Sequence, residues 1–586
     1  MKIIDLFKKG LNSLKVSIKR YPYALFFSTL TTLIMISLVN TEGYYNNETE
    51  EMIARIAMTT ALSFPLFLII KSIFVRKSSL DNIKKAFIRI LTIILLVIYY
   101  FFLLQEMNMV TITRYFAVNL SLYLLFLVIT YFYKKQKFEQ FIIKIFSRLI
   151  ITIIYTFVII SGLSIIFSTL RELLNVNIPN TLYLSNALFM MGIFTPIFLL
   201  AQIPRQNENL SLEEYPNILE TLLIYIIMPL ISVFTVILYV YFFKIIIIQE
   251  LPKNLVTHLV LWYASLSIIV IFFISPIKYK NKWIKGFSKW LPKALVPLVL
   301  MMFLAIGIRI NTYGVTESRY FVVALGLWII GVIFYHIFSK KKNNIVLPLT
   351  LAIIVLLSVF GPWSSYSVSI YSQNNRFESI ITKYNMVNNN KIIKKDIELA
   401  DQDKKELQAI IRYFENNHEL EDIRYLPQSF KTTDTMGFFG FEYNKRYDPN
   451  ELQYLSYNLT KKRELIDISN YDYFFHISNN IKEVKSLESN ISFKINELNN
   501  EITIFNDEEV IYKRSLIPII IEIHQQNKNV SYEDINQNNF IFIDDNVDLR
   551  IKLIFNSIYG SIEEIDNQDL DIRSLDFYLL IDLQNK

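Results

Sequence analysis

Residues 345–376, IVLPLTLAIIVLLSVFGPWSSYSVSIYSQNNR, hold the change of character on which the reading of this chain turns. From Ile345 to Phe360 no side chain is charged and most are aliphatic, the composition of a segment buried in hydrocarbon. Gly361 and Pro362 then stop the helix, because proline has a fixed φ and no N–H to donate. Trp363 and Tyr366 suit a membrane–water interface, and the sequence beyond is rich in Ser, Asn, Gln and Arg.

Outward from this junction the two sides of the chain differ in charge. Residues 1–364 hold 34 Lys and Arg against 15 Asp and Glu, whereas residues 365–586 hold 25 against 37. The net charge of +7 therefore averages a basic membrane half and an acidic tail, and gives no argument for nucleic acid as a partner.

Upstream of the junction, apolar windows predict ten further spans. They lie near Tyr23–Val39, Ile56–Phe74, Phe87–Leu104, Phe116–Tyr133, Leu149–Phe167, Leu182–Ile203, Leu219–Ile248, Leu255–Ile274, Ala294–Ile310 and Tyr320–Phe338. With the amino terminus inside, the connecting segments carry 27 Lys and Arg on the cytoplasmic side and six outside: Arg55, Arg114, Arg171, Lys253, Arg309 and Arg319. That alternation is the one the positive-inside rule requires. An odd number of spans places the tail on the opposite side from the amino terminus. The segment Met1–Arg20 is basic and amphipathic, and the first apolar run, Tyr23–Val39, lacks a convincing small-residue cleavage site, so it is read as a retained first span.

The expected architecture is an all-α polytopic membrane bundle of about eleven transmembrane helices followed by a small α+β soluble domain. Its parts are a cytoplasmic basic amphipathic segment (1–22), the transmembrane helical domain (23–364), a helical juxtamembrane region (365–430) and an extracytoplasmic β-rich domain (431–586). In the tail, Asp401–Asn416 has helical spacing, with Asp401 or Asp403 as N-cap and Leu407, Ile410, Ile411 and Phe414 inward. Strands are expected at Tyr473–Ile477, Ile491–Ile495, Ile502–Phe505, Ile517–Ile523, Phe540–Ile543, Leu549–Phe555 and Phe577–Ile581.

The chemistry search excludes more than it finds. The chain has no cysteine, so disulfides, thiolate zinc sites and cysteine nucleophiles are absent. It has no phosphate-wrapping P-loop, no dinucleotide-binding glycine motif and no nucleophile elbow. His258, His336, His418, His476 and His524 are scattered without metal-ligand spacing and read as ordinary polar contacts. The pairs Asp401/Asp403 and Asp569/Asp571 resemble a cation-holding spacing only as chance allows in an acidic tail, and the first is better explained as a helix start. No catalytic residue, metal ligand or cofactor is assigned. Pro65, Pro196, Pro229 and Pro297 interrupt apolar segments and are expected to kink them, and Gly192 with Pro196 makes span six the best candidate for a broken helix.

The most specific cluster is the outer loop from Arg309 to Tyr320, RINTYGVTESRY. Arg309 ends an apolar run and must snorkel or find a partner, for which Glu317 is the nearest carboxylate. One reading is an aromatic belt with an ion pair clamping the hairpin. The other is an anion or headgroup site, which needs Arg309 and Arg319 to converge. Candidate binding residues at this outer mouth are Arg309, Tyr313, Glu317, Arg319, Tyr320, Trp363, Gln373 and Arg376, with Ser369 beside them.

The ordered blocks YGVTESRY (313–320), WIIG (328–331) and GPWS (361–364) with its SVSIYSQ continuation, together with PL (229–230) and ELPKN (250–254), resemble domain-of-unknown-function family 4153 over roughly residues 20–430. The resemblance implies a bacterial multi-pass inner-membrane protein and supplies no reaction or substrate. The leading expectation is a transporter or flippase-like protein for a small anionic or lipid-linked substrate, in contact with membrane lipids. The alternatives are a membrane enzyme acting on an envelope lipid or polymer, or a sensor or scaffold whose tail binds an envelope protein or polymer.

Overall fold

The computed structural model describes residues 15–41, 47–77, 79–131, 138–203, 215–248, 254–339, 343–388, 391–393, 399–441, 443, 453–459, 466–478, 483–485, 490–496, 500–507, 509–527, 536–545, 549–562 and 570–583. The amphipathic segment before residue 15, the ELPKN turn apart from Asn254, and Asp569 lie outside them. The chain divides into two compact units, Met1–Tyr443 and Asn444–Lys586.

The first unit is built on α1 (Pro22–Asn40), α2 (Asn47–Arg76), α3 (Asn82–Leu103), α4 (Met109–Tyr131), α5 (Phe138–Leu174), α6 (Asn180–Gln202), α7 (Asn217–Ile248), α8 (Asn254–Ile274), α9 (Lys282–Tyr313), α10 (Glu317–Phe338) and α11 (Val346–Val359). Ten of these are long and apolar enough to cross a membrane. The remaining one, α11, is 14 residues long, about 21 Å at 1.5 Å per residue. Its ends nevertheless reach two different faces of the bundle. Just before it, Asn344 donates to Glu139 at 2.6 Å and Ser275 at 3.2 Å, and at its far end the Val359 carbonyl accepts from Arg114 at 3.2 Å.

Other polar contacts between helix ends fall into the same two sets. On one face Arg20 donates to the Ile203 carbonyl at 2.5 Å, and Lys280 pairs with Glu220 at 2.9 Å. On the other, Glu51 accepts from the Met107 N–H at 3.2 Å, Asn40 donates to Ser185 at 3.0 Å, and Tyr320 donates to the Trp363 carbonyl at 2.6 Å. Each contact joins ends that an eleven-helix alternation puts on one side. Lys244 is exposed and stands apart from these contacts.

Helices α8 and α9 form the interior of the bundle, and α9 buries a continuous stripe through Leu291, Leu295, Leu298, Met302, Ala305 and Ile306. Between lipid-like surfaces the hydrophobic effect no longer discriminates, so small residues and hydroxyls make the close contacts. Ser121 of α4, for example, donates to the Ala352 carbonyl of α11 at 2.9 Å.

Span six is continuous: α6 passes through a π-turn at Met190–Phe194, and α7 through another at Leu222–Ile227. Each π-turn ends two residues before a proline, Pro196 or Pro229. An extra residue in the turn relieves the clash of the proline ring with the carbonyl four residues back. In α6 that carbonyl belongs to Gly192, and the Ser28 hydroxyl of α1 takes it up at 2.5 Å. A Cβ on Gly192 would fall 1.9 Å from Thr32 Oγ1 and 3.1 Å from Thr32 Cβ. Gly192→Ala is therefore expected to lower the melting temperature of the purified protein, and Thr32→Ala in the same chain to restore most of it; additive losses would show that α1 and α6 are not in this register.

Beyond the last span the first unit continues as α12 (Ser365–Lys383), the hairpin β1 (Val387–Asn388) and β2 (Lys391–Ile392), α13 (Asp401–Asn417) and α14 (Thr435–Phe439). These close a core of Phe377, Ile381, Leu407, Ile410, Ile411, Phe414, Phe430 and Phe439. The cap of α13 differs from expectation: Ala400 is the N-cap, and Asp401 and Asp403 lie in the first turn. There they face the positive end of the helix dipole. Asp403 also binds Lys383 and the Tyr384 hydroxyl, each at 2.6 Å, and these bonds, that of Lys383 foremost, hold its carboxyl below the usual range.

The second unit packs two antiparallel sheets. One joins β3 (Gln453–Asn458), β10 (Leu549–Ile562), β11 (Leu570–Leu583) and β4 (Tyr473–Ile477) in that order, with β9 (Ile541–Asp545) paired to β10. The other runs β5 (Glu483–Lys485), β6 (Ile491–Asn496), β7 (Glu501–Asn506), β8 (Glu509–Ser515). Phe493, Ile504, Leu553, Phe555 and Phe577 meet in the shared core. Residues Ile517–Ile523, expected as a strand, form the start of α15 (Ile517–Asn527). Their β-branched composition suggested a strand, but Ile519, Ile520, Ile523 and Asn527 are the buried set, a helical spacing that places one face on this core.

Candidate functional site

The loop joining α9 to α10 turns at Gly314, whose φ of +70° and ψ of −178° are open to glycine and strained for other residues. A helix ends with carbonyls that have no intrahelical donor, at the negative end of its dipole. Here cations and amides supply the donors. The Tyr313 carbonyl accepts from Arg319 Nη1 at 3.1 Å, Gln373 Nε2 at 3.1 Å and Arg376 Nη1 at 2.7 Å. Arg319 Nη1 also reaches the Gly314 carbonyl at 2.7 Å, Gln373 Nε2 reaches the Val315 carbonyl at 2.9 Å, and the Val315 N–H donates to Ser372 Oγ at 2.9 Å. Arg376 is neutralised by Glu406 at 2.6 Å.

Glu317 turns away from all three arginines. It is 3% exposed, and its Oε1 accepts from the Tyr413 hydroxyl at 2.6 Å and lies 2.7 Å from His418 Nε2. Tyr413 and His418 are themselves 2.9 Å apart. Burial, reinforced by the Glu317 charge, holds the Tyr413 phenol above its ordinary value. The expected Arg309–Glu317 pair is thus not formed. As the first residue of α10, Glu317 lies at the positive end of that helix, where α13 and the residue that ends it supply two donors.

Tyr313, Arg319, Gln373 and Arg376 come together around the turn. Tyr320 and Trp363 meet each other at its rim, where Trp363 is 54% exposed. Arg309 is half-buried one turn beyond Ala305 and Ile306, with no side-chain hydrogen bond or ion pair to a described residue. Ser369 is fully buried on the Tyr413 side. Sequence reasoning missed Ser372, Glu406, Tyr413 and His418. Tyr413 lies within the apolar pattern of α13, and His418 stands alone among polar residues, so neither carries a local signal.

The profile of a domain of unknown function, DUF4153, matches residues 29–388, more than half of the chain. The chain belongs to this family. In the DUF4153 match lie α9, the turn, α10 and α12, and so every candidate residue from Arg309 to Arg376, whereas Glu406, Tyr413 and His418 lie beyond it. An uncharacterised protein of Pasteurella multocida (strain Pm70) is 26% identical over 247 residues, 41% of this chain and 41% of that one. The chain therefore spans well under half the length of this curated relative. No solved structure matches the chain.

Proposed function

We propose that this DUF4153 protein is a transporter or flippase-like protein of the bacterial cytoplasmic membrane, acting on a small anionic or lipid-linked envelope substrate. Its outer mouth is the α9–α10 turn. The observation that carries this reading is the charge at that turn: Arg309 and Arg376 lie within electrostatic reach of Arg319, and among the described residues Glu406 is the one carboxylate bonded to any of the three. In an apolar rim such an excess of positive charge favours an anion.

The distribution of 27 Lys and Arg against six supports a cytoplasmic amino terminus, with the turn, α12 and the second unit outside. The cysteine-free chain makes this directly testable. A cysteine at exposed Ser318 is expected to react with a membrane-impermeant maleimide in intact cells, and one at exposed Tyr279 only after lysis. The opposite pattern would invert the orientation. For activity, Arg309→Ala and Arg319→Ala, inserted at wild-type level in proteoliposomes carrying fluorescent anionic and zwitterionic lipids, are expected to slow translocation at least tenfold; unchanged rates would remove the transport reading.

A scaffold is the second reading. It is favoured by the way Gln373 and Arg376 tie the turn's carbonyls to α12 and Arg319 ties them to α10, which makes the turn a rigid support. Deleting residues 444–586 separates the two: a scaffold that binds through this unit loses its function, and a transporter keeps translocation.

A further inference from the structure

We propose that Arg309 and the uncommitted edge of Arg319 hold the phosphate of a membrane lipid headgroup at the outer rim of α9. The inference rests on the reading of the turn as an anion site and names the anion.

Among the described residues Arg319 bonds through Nη1, to the carbonyls of Tyr313 and Gly314. Its Nε and Nη2 remain, and these are the parallel donors with which a guanidinium grips two oxygens of a phosphate. The Tyr313 ring lies 5.5 Å from the guanidinium carbon and steadies its plane. Among the described residues none accepts a hydrogen bond from Arg309. A half-buried guanidinium at the end of a span must still satisfy its donors, and at that depth lipid phosphate is the abundant acceptor. Arg376 adds positive potential, largely offset by Glu406, so Arg309 and Arg319 are the two charges left to match.

Two features point to a lipid rather than a free ion. Leu300, Leu304 and Ile308, spaced by one helical turn, are 51%, 68% and 41% exposed and form an apolar track along α9 that ends beside Arg309. An acyl chain on that track would bring its headgroup to the two arginines. At the same rim, Tyr320 bonded to the Trp363 carbonyl forms the kind of aromatic pair that sits at headgroup level.

The test uses the full chain, delipidated in a mild detergent and examined by native mass spectrometry. Phosphatidylglycerol, a galactosyl diacylglycerol without phosphate, and inorganic phosphate serve as probes. Wild type is expected to retain phosphatidylglycerol and not the galactolipid. Arg309→Gln and Arg319→Lys, the latter keeping the charge but losing the fork, are each expected to weaken retention about tenfold or more, the worth of a charge-assisted hydrogen bond. Should Arg319→Lys fail to fold, Arg309→Gln carries the test alone. Equal retention by wild type and Arg309→Gln overturns the proposal. So does equal binding of the galactolipid, or displacement of the lipid by millimolar inorganic phosphate. Phosphate-dependent, arginine-dependent retention without translocation in proteoliposomes would uphold the lipid site and sink the transport reading.

Discussion

Glu317→Ala is expected to loosen α13 from the membrane bundle. Removing a buried carboxylate that accepts from two side chains costs about 1–3 kcal/mol for each polar group left desolvated. Here one oxygen serves both Tyr413 and His418, and alanine leaves them facing each other at 2.9 Å without that shared acceptor. Hydrogen exchange should therefore rise across residues 401–418 while α8 and α9 remain protected. Glu317→Gln, which keeps an acceptor for the Tyr413 hydroxyl but loses the charge, should fall between. Exchange unchanged in the alanine variant would mean that the apolar core around Phe377 and Phe414 holds α13 without this cluster. The same geometry sets an alkaline limit. The Tyr413 phenol is raised by burial and by Glu317, so its contribution is complete below pH about 10, the ordinary value for tyrosine, and is lost only at higher pH.

The second large effect is expected for Gly314→Ala. A side chain at φ +70° and ψ −178° carries strain of about 1–3 kcal/mol. The added Cβ would also lie 2.6 Å from Arg376 Cδ and 3.0 Å from Gln373 Nε2. Either side chain can move only by giving up its bond to the Tyr313 or Val315 carbonyl, at about 1 kcal/mol or more for each buried acceptor left open. Melting temperature should fall, and a cysteine at Ser318 should react faster with maleimide than in the glycine parent. A variant with wild-type reactivity and stability would show that the turn tolerates another conformation.

The eleven apolar helices were legible because the constraint on them is local: each span must satisfy its own backbone within its own sequence, and hydrocarbon tolerates few charges. Lys and Arg counts along the same segments are the basis on which inner and outer ends are proposed. Proline positions were visible as well, but their result was not. Whether Pro196 breaks, bends or adds a π-turn depends on whether a neighbour such as Ser28 can take up the freed carbonyl.

In the tail the limits were different. Residues 517–523 are aliphatic enough to suit a strand, and packing of Ile519, Ile520 and Ile523 on two sheets decides for helix. β3 and β8 drew no prediction, because their pairing with β10 and β7 is long-range in one case and obscured by charged residues in the other.

At the candidate site the sequence by itself determined that Arg309, Glu317 and Arg319 share one short stretch between two spans, since covalent spacing alone brings them there. Only the tertiary structure decided their partners. Glu317 meets His418, 101 residues away, instead of the nearby Arg309, because α10 and α13 each pack by their apolar faces and leave the carboxylate facing the end of α13. Arg319 serves the carbonyls of its own turn because the end of α9 presents them unsatisfied. Charge can be counted along a chain, whereas its neutralisation follows from which surfaces are buried against one another.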